Sequence, residues 1–228
     1  MIKFKSLLNH WLLALTLTVG FSPLATAQPA KLESCQKRLV ASSFPNERAD
    51  NQEEEDFLRE NSYLLDRLNR ELTPGGPLSL AQKLAIARYT MTYERQESII
   101  VNGAKKLPPK AGVYYRGEPQ NVSAEDLGRV IQWPVFRSVS ASRYVAEGFL
   151  NPSEPMQLVI INSKTARDIS EYSQGMSDGG IPEEEALILP GTKLRIDKIY
   201  PGQFEGVDED SGEDRIYPLQ VVELSEIQ

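Results

Sequence analysis

The chain has 228 residues, with 25 lysines and arginines against 32 aspartates and glutamates, one histidine and one cysteine. A formal net charge of −7 argues against a protein held to nucleic acid by bulk charge. The single cysteine, Cys35, excludes an internal disulfide and a cysteine-rich metal site. The single histidine, His10, lies in a removable leader, so the working chain has no imidazole. That excludes Ser-His-Asp and Cys-His nucleophile systems, histidine-ligated zinc and imidazole acid–base chemistry.

Residues 1–27 read as a secretory signal peptide. Lys3 and Lys5 form the basic start, Leu12 to Val19 is the apolar run, and Ala25-Thr26-Ala27 is an A-x-A cleavage site. The apolar run is shorter than the roughly 20 residues a membrane span needs, so no stable membrane association is expected after cleavage. Removing 27 residues and two positive charges leaves 201 residues with a net charge of −9.

Residues 28–50 are polar and aperiodic, a poorly ordered arm in which Cys35 is a spectator. One domain is expected over 51–228. Asn51 caps a helix over 51–72 whose acidic start, Glu53-Glu54-Glu55-Asp56, suits the helix dipole as a solvated first turn. Thr73-Pro74-Gly75-Gly76-Pro77 breaks it, and a second helix runs over 79–101. Pro108-Pro109 then opens an extended region. Strands are expected at 112–117, 136–142, 157–162, 183–189, 193–199 and 216–224. Helices are expected at 123–132, where Ser123 and Asp126 form a capping box, and at 143–150. The acidic run 208–214 reads as a solvated hairpin loop, since its spacing is not that of an EF-hand calcium site. Helices first and strands after them point to an α+β fold. There is no G-x-G-x-x-G and hence no indication of a dinucleotide-binding Rossmann site.

Three short segments carry chemistry. Arg116 ends an apolar strand and is followed by Gly117, so its planar fork can meet a pyrophosphate in a cleft; alone, such an arginine also serves as a rim ion pair. Ser138, Ser140 and Ser142 share one face of a strand, a hydroxyl row for a carboxylate or a ribose, or a solvent-facing edge. Glu183-Glu184-Glu185 leads into an apolar strand with Glu183 and Glu185 on one face, a carboxylate pair able to divide charge stabilisation from proton handling, or a solvated acidic turn.

Taken in order, Arg116, then Phe136-Arg137-Ser138-Val139-Ser140, then Glu183-Glu184-Glu185-Ala186-Leu187-Ile188-Leu189-Pro190-Gly191-Thr192 resemble the R-S-E mono-ADP-ribosyltransferases, bacterial toxins that modify protein arginine. Val139 stands where that family has Thr. The stretch Arg88-Tyr89-Thr90 through Tyr93 to Val101-Asn102 resembles the helix before the family's first core strand. The resemblance covers about residues 80–223.

It implies N-terminal helices on a two-sheet, mixed or antiparallel β core that binds NAD as a substrate and needs no metal. Arg116, Gly117, Ser138, Ser140 and Glu185 would contact NAD. Glu185 would accept from the 2′-hydroxyl of the nicotinamide ribose, Ser138 would order the site, and Glu183 would engage the target guanidinium. The loop over 169–182 would meet the target, with Tyr172 as one contact. The partner implied is an arginine of a host or competitor-cell protein, not nucleic acid, reached by export and a separate translocation component. The same residues would also serve an NAD glycohydrolase, and a non-enzymatic secreted binding module is the remaining alternative.

Overall fold

In the computed structural model the described residues are 49–68, 75–173, 176–177, 181–207 and 211–227. The leader, Cys35, all but the last two residues of the arm, and residues 208–210 of the acidic run lie outside them. No helix among the described residues is long and apolar enough to cross a membrane.

Four helices come first: α1 (Gln52–Glu60), α2 (Ser62–Leu68), α3 (Leu80–Thr92) and α4 (Glu97–Lys106). The sequence predicts two longer ones, and each is interrupted, the first at a residue bonded to another helix and the second at a left-handed residue. Asn61 separates α1 from α2: its amide donates to Phe57 O at 2.8 Å, and its oxygen accepts from Arg88 Nη1 at 2.7 Å. Tyr93 ends α3 in the left-handed region, φ 58°, with its N–H on Tyr89 O.

The acidic first turn is also not wholly solvated. Glu54 has no exposed surface and accepts from Asp50 N (2.8 Å), Ser79 Oγ (2.7 Å) and Gln82 Nε2 (2.7 Å). A buried carboxylate needs such donors, and here they tie α1 to the capping box that starts α3. Helix α3 is buried along most of its length, and its Leu84 and Ile86 share a core cluster with Ile100 of α4, with Leu187 of the sheet and with Phe136 and Ile169, which flank strands.

The strands are β1 (Pro109–Pro119), β2 (Val130–Gln132), β3 (Arg137–Ser140), β4 (Met156–Asp168), β5 (Met176–Ser177), β6 (Ile181–Pro182), β7 (Glu185–Ile188), β8 (Lys193–Val207) and β9 (Asp214–Glu226). A short helix α5 (Arg143–Glu147) follows β3. The helix expected over 123–132 is only the one-turn Ala124–Asp126, because Gly128 turns left-handed (φ 83°) and the chain becomes β2.

Among the described residues, seven strands join in the order β1-β3-β7-β4-β9-β8-β2, and β1 also pairs with β4. The ring β1-β3-β7-β4 therefore closes on itself. The α+β expectation holds, but the two-sheet description is replaced by a barrel-like sheet with β9, β8 and β2 added to it. β4 and β9 are parallel; the other pairs are antiparallel.

Closure depends on a bend in β4. The strand pairs with β1 from Met156 to Arg167, while its other partner is β9 over Gln157 to Asn162 and then β7, where Arg167 and Asp168 meet Leu187 and Ala186. Between them the register against β1 slips at Ser163 to Ala166, which frees backbone N–H groups, as bulges do. The buried Glu226 takes them up. Its Oε2 accepts from Lys164 N (2.7 Å), Thr165 N (3.0 Å) and Ser163 Oγ (2.7 Å), and its Oε1 from Thr165 Oγ1 (2.8 Å).

Burial alone would raise the Glu226 pKa, but these donors outweigh it and hold the carboxyl below its usual range. Its stabilisation is then present above the unfolded-state pKa, about 4.3, and is lost as pH falls through the lower folded value. Glu226→Ala should cost about 2 to 3 kcal/mol at pH 7, since it strands buried donors. The urea-midpoint gap to wild type should narrow between pH 7 and pH 3, and a gap independent of pH contradicts the assignment.

Candidate active site

Antiparallel pairing of β3 with β7 sets Ser140 opposite Glu185 and Ser138 opposite Leu187. Strand alternation then puts Ser138, Ser140 and Glu185 on one face. The Ser138 hydroxyl donates to Glu185 Oε1, and Ser173 Oγ, from the turn after β4, donates to Glu185 Oε2 at 3.2 Å.

Glu185 is only 5% exposed, and burial pushes its pKa up to about 7. The hydroxyl of Ser138 opposes that rise, the nearby Glu183 carboxylate adds to it, and Ser173 and Arg116 oppose it more weakly.

Glu183 reaches the same cleft by a different route from the one its spacing suggests. It does not lie on the strand, which begins at Glu185. Glu184 between them is left-handed, φ 46°. The turn is held by Ala141 N on Glu184 O (3.0 Å) and by Ser140 Oγ on Glu183 O (2.6 Å). Glu183 is half-buried, and burial raises its pKa too. Ser140 thus spends its hydroxyl on backbone, accepting also from Ser142 N at 2.9 Å. Ser142 leaves the hydroxyl row altogether, because its side chain caps α5 at Val145 N.

Arg116 stands on β1 across from this pair. Its Nε donates to Glu118 Oε2 at 2.8 Å and its Nη1 to Ser138 O at 2.8 Å, so it straps β1 to β3. Glu118 is buried and also accepts from Gln157 Nε2 at 3.0 Å. Glu118 is absent from the residues nominated by sequence, although its spacing of two from Arg116 places it on the same strand face.

Gly117 serves packing. A Cβ there would lie 2.2 Å from Ala146 O, so only glycine lets α5 rest on β1.

The remaining wall is aromatic. Tyr89 of α3 meets the Phe136 ring edge-on at 5.1 Å. Phe136 is fixed at the start of β3 by the Arg95 guanidinium 4.2 Å over its ring and by its N–H on Glu97 Oε1 at 2.9 Å. Burial and Glu185 raise the Tyr89 pKa. Tyr93 and Phe149 expose their rings at the mouth.

The result is an open cavity of about 170 Å³ lined by Arg116, Gly117, Ser138, Ser140, Glu183 and Glu185, all six nominated from sequence, together with the aromatics. Tyr172 is not part of it. It is 5% exposed and packed in the helical core, so it does not offer the target contact expected of it. Gly175, Gly179 and Gly180 of that loop lie outside the described residues.

No family model and no curated protein matches the sequence. Solved structures do match. The type III effector XopAI from Xanthomonas axonopodis pv. citri superimposes with a TM-score of 0.51 at 15% identity, covering 88% of this chain and 100% of that one. Exoenzyme S from Pseudomonas aeruginosa, solved with human 14-3-3 protein beta and bound to carba-NAD, gives 0.51 at 16% identity over 84% and 88%. Vis, an ADP-ribosyltransferase from Vibrio splendidus, gives 0.47 at 15% over 82% and 90%. The chain therefore shares its fold with XopAI and exoenzyme S.

Gly117→Ala should displace α5 and with it Phe149 from the cleft wall, at a cost of about 1 to 3 kcal/mol for overpacking. Thermal unfolding and a crystal structure of the variant check this. Unchanged stability with α5 in place would mean that the contact yields freely.

Proposed function

We propose that this chain transfers ADP-ribose from NAD to the guanidinium of an arginine in a target protein, releasing nicotinamide. The observation that carries this is the pairing of two carboxylates in one cleft, Glu185 buried and clamped by hydroxyls, Glu183 half-buried at the mouth. Exoenzyme S, with the same fold, is seen with carba-NAD.

In the reaction the bond from ribose C1′ to the nicotinamide nitrogen breaks, and its electron pair leaves with nicotinamide. Positive charge grows on the ribose. Glu185, ionised and accepting from the 2′-hydroxyl, offsets that charge from a fixed, water-poor position. Ser138 holds the carboxylate. Arg116 retains one amino group for a phosphate oxygen while Glu118 and Ser138 O fix the rest of its fork.

A guanidinium nitrogen then attacks C1′, and Glu183 takes the proton released. An arginine side chain is otherwise fully protonated, and burial makes Glu183 a better base than a solvated glutamate. The histidine-free sequence after the leader is compatible with this chemistry, since no step calls on an imidazole. Export through the leader and action on a protein of another cell complete the reading.

Water in place of the guanidinium would make the same site an NAD glycohydrolase. NAD labelled in nicotinamide and in adenylate separates the two: label reaching a protein band of a host-cell lysate supports transfer, and nicotinamide release with no labelled protein in any lysate overturns it.

Glu185→Gln should lower nicotinamide release by about 10²- to 10³-fold with little change in urea midpoint; full activity in this variant removes Glu185 from the mechanism. Glu183→Gln should impair transfer to a small guanidino compound far more than NAD hydrolysis, and equal losses would contradict the division of roles. Because the ionised form of Glu185 acts, the rate should fall as pH drops through about 7, read from the acid limb of kcat.

A further inference from the structure

We propose that Ser173 is a positioning residue for Glu185: from the core-anchored turn after β4, its hydroxyl is the second clamp on the carboxylate that Ser138 holds from β3. The role in turnover rests on the reaction proposed above.

The geometry is a carboxylate gripped at both oxygens by different elements. Oε1 accepts from Ser138 on β3, and Oε2 accepts from Ser173 at 3.2 Å. One donor leaves a carboxylate free to swing about its last torsion, which is broad and two-fold; donors on both oxygens fix its plane. For a group that must meet a ribose hydroxyl, that plane decides where the remaining lone pairs point.

The turn that carries Ser173 is rigid where it needs to be. Ile169 has no exposed surface, and Tyr172 is buried beside it in the helical core. Tyr172 N and Ser173 N both donate to Ile169 O, at 2.8 and 2.9 Å. The turn is also bonded to Glu185 itself: Ile169 N donates to Glu185 O at 3.0 Å and Ser170 Oγ to the same oxygen at 3.3 Å. Turn and carboxylate therefore move together. The burial of Tyr172, unexpected for a loop tyrosine, is explained as the anchor that sets Ser173 in place.

Other groups facing Glu185 are Glu183 just before its strand, Arg116 on β1, and Tyr89 and Tyr93 on α3, with Arg95 beyond Tyr89. Of these only Arg116 favours the ionised carboxylate directly, and it acts without a hydrogen bond to it. Removing the Ser173 donor leaves burial and Glu183 less opposed, so the proton is held to higher pH.

Two readouts test this on the full chain. The first is the pH dependence of kcat for nicotinamide release. The second is the titration of the Glu185 carboxyl by NMR in protein carrying ¹³C-carboxyl glutamate, its resonance identified by its loss in Glu185→Gln. Ser173→Ala should shift both to higher pH by about half a unit, the threefold scale of a weak charge-assisted bond. Its kcat should therefore be about threefold below wild type at pH 6, with the loss shrinking toward pH 8.5. Ser173→Thr, which keeps the hydroxyl, should restore the wild-type profile. Should the Ala variant unfold, Ser173→Cys keeps the volume with a weaker donor and should shift the same way.

A Glu185 titration that coincides with wild type in the Ala or Cys variant, or a loss of rate uniform across pH, overturns the proposal. A wild-type protein that releases no nicotinamide would instead defeat the proposed reaction, and the NMR titration would still decide whether Ser173 holds the carboxylate.

Discussion

The site turns on the burial of one carboxylate. Glu185 opens β7 on the face that meets helix α3, where it is almost wholly buried, and its charge must be stabilised by donors or be given up. Its partners are two neutral hydroxyls and a guanidinium that does not bond to it directly. That supply is meagre. A carboxylate given two backbone N–H groups and two hydroxyls, as Glu226 is, has its pKa held below the usual range despite burial. Burial instead raises Glu185 to about 7, so in the proposed reaction it would be partly ionised and ready to form a stronger bond when a ligand hydroxyl or a developing cation arrives.

Several elements exist in their observed form to keep that carboxylate in place. The bend of β4 lets its end pair with β7 after its body has paired with β9, with β1 beside it throughout, so β7 has strand on both sides. The contrast with Glu226 is instructive, because the well-satisfied carboxylate secures the bend and the poorly satisfied one lines the cleft. Register does the rest. A slip of one residue between β3 and β7 would turn Ser138 and Ser140 to the other face of the sheet. Phe136, gripped by Arg95 and Glu97 from the helical layer, pins that register at the start of β3, which gives the aromatic of the motif a mechanical role.

Local pattern made much of this readable in the sequence. Alternation on β3, the apolar run of β7 and the glycine after Arg116 are all short-range signals, and the six residues nominated once the motifs' order showed a family resemblance line one cavity. What was not readable is set by contacts distant in sequence. No proline or glycine marks the breaks at Asn61 and Tyr93, which depend on partners outside their own helices or on a left-handed residue no pattern announces. Glu54, in an acidic run, is buried only because Ser79 and Gln82 meet it from another helix. Glu183 shares the cleft with Glu185 through a left-handed Glu184 and not through strand alternation. Ser173 depends on a turn whose anchor, Tyr172, packs against helices about a hundred residues earlier. Glu118 was within reach, two residues from Arg116 on the same face.

The two carboxylates differ in a way that bears on the acceptor. Both are shifted upward by burial, but Glu185 has hydroxyl partners, and among the described residues no donor meets the carboxylate of Glu183. It sits at the mouth within electrostatic reach of Tyr93, a residue 66% exposed in a backbone conformation a bulky residue rarely adopts. A half-buried anion without a partner is an energetic cost unless something cationic completes it. Water completes it poorly and a guanidinium completes it well, with two parallel N–H bonds and a face that packs on an aromatic ring. In the proposed reaction the unequal environments would separate the roles of the pair: the carboxylate with hydroxyl partners would face the donor sugar, and the one that meets no donor among the described residues would take the arginine.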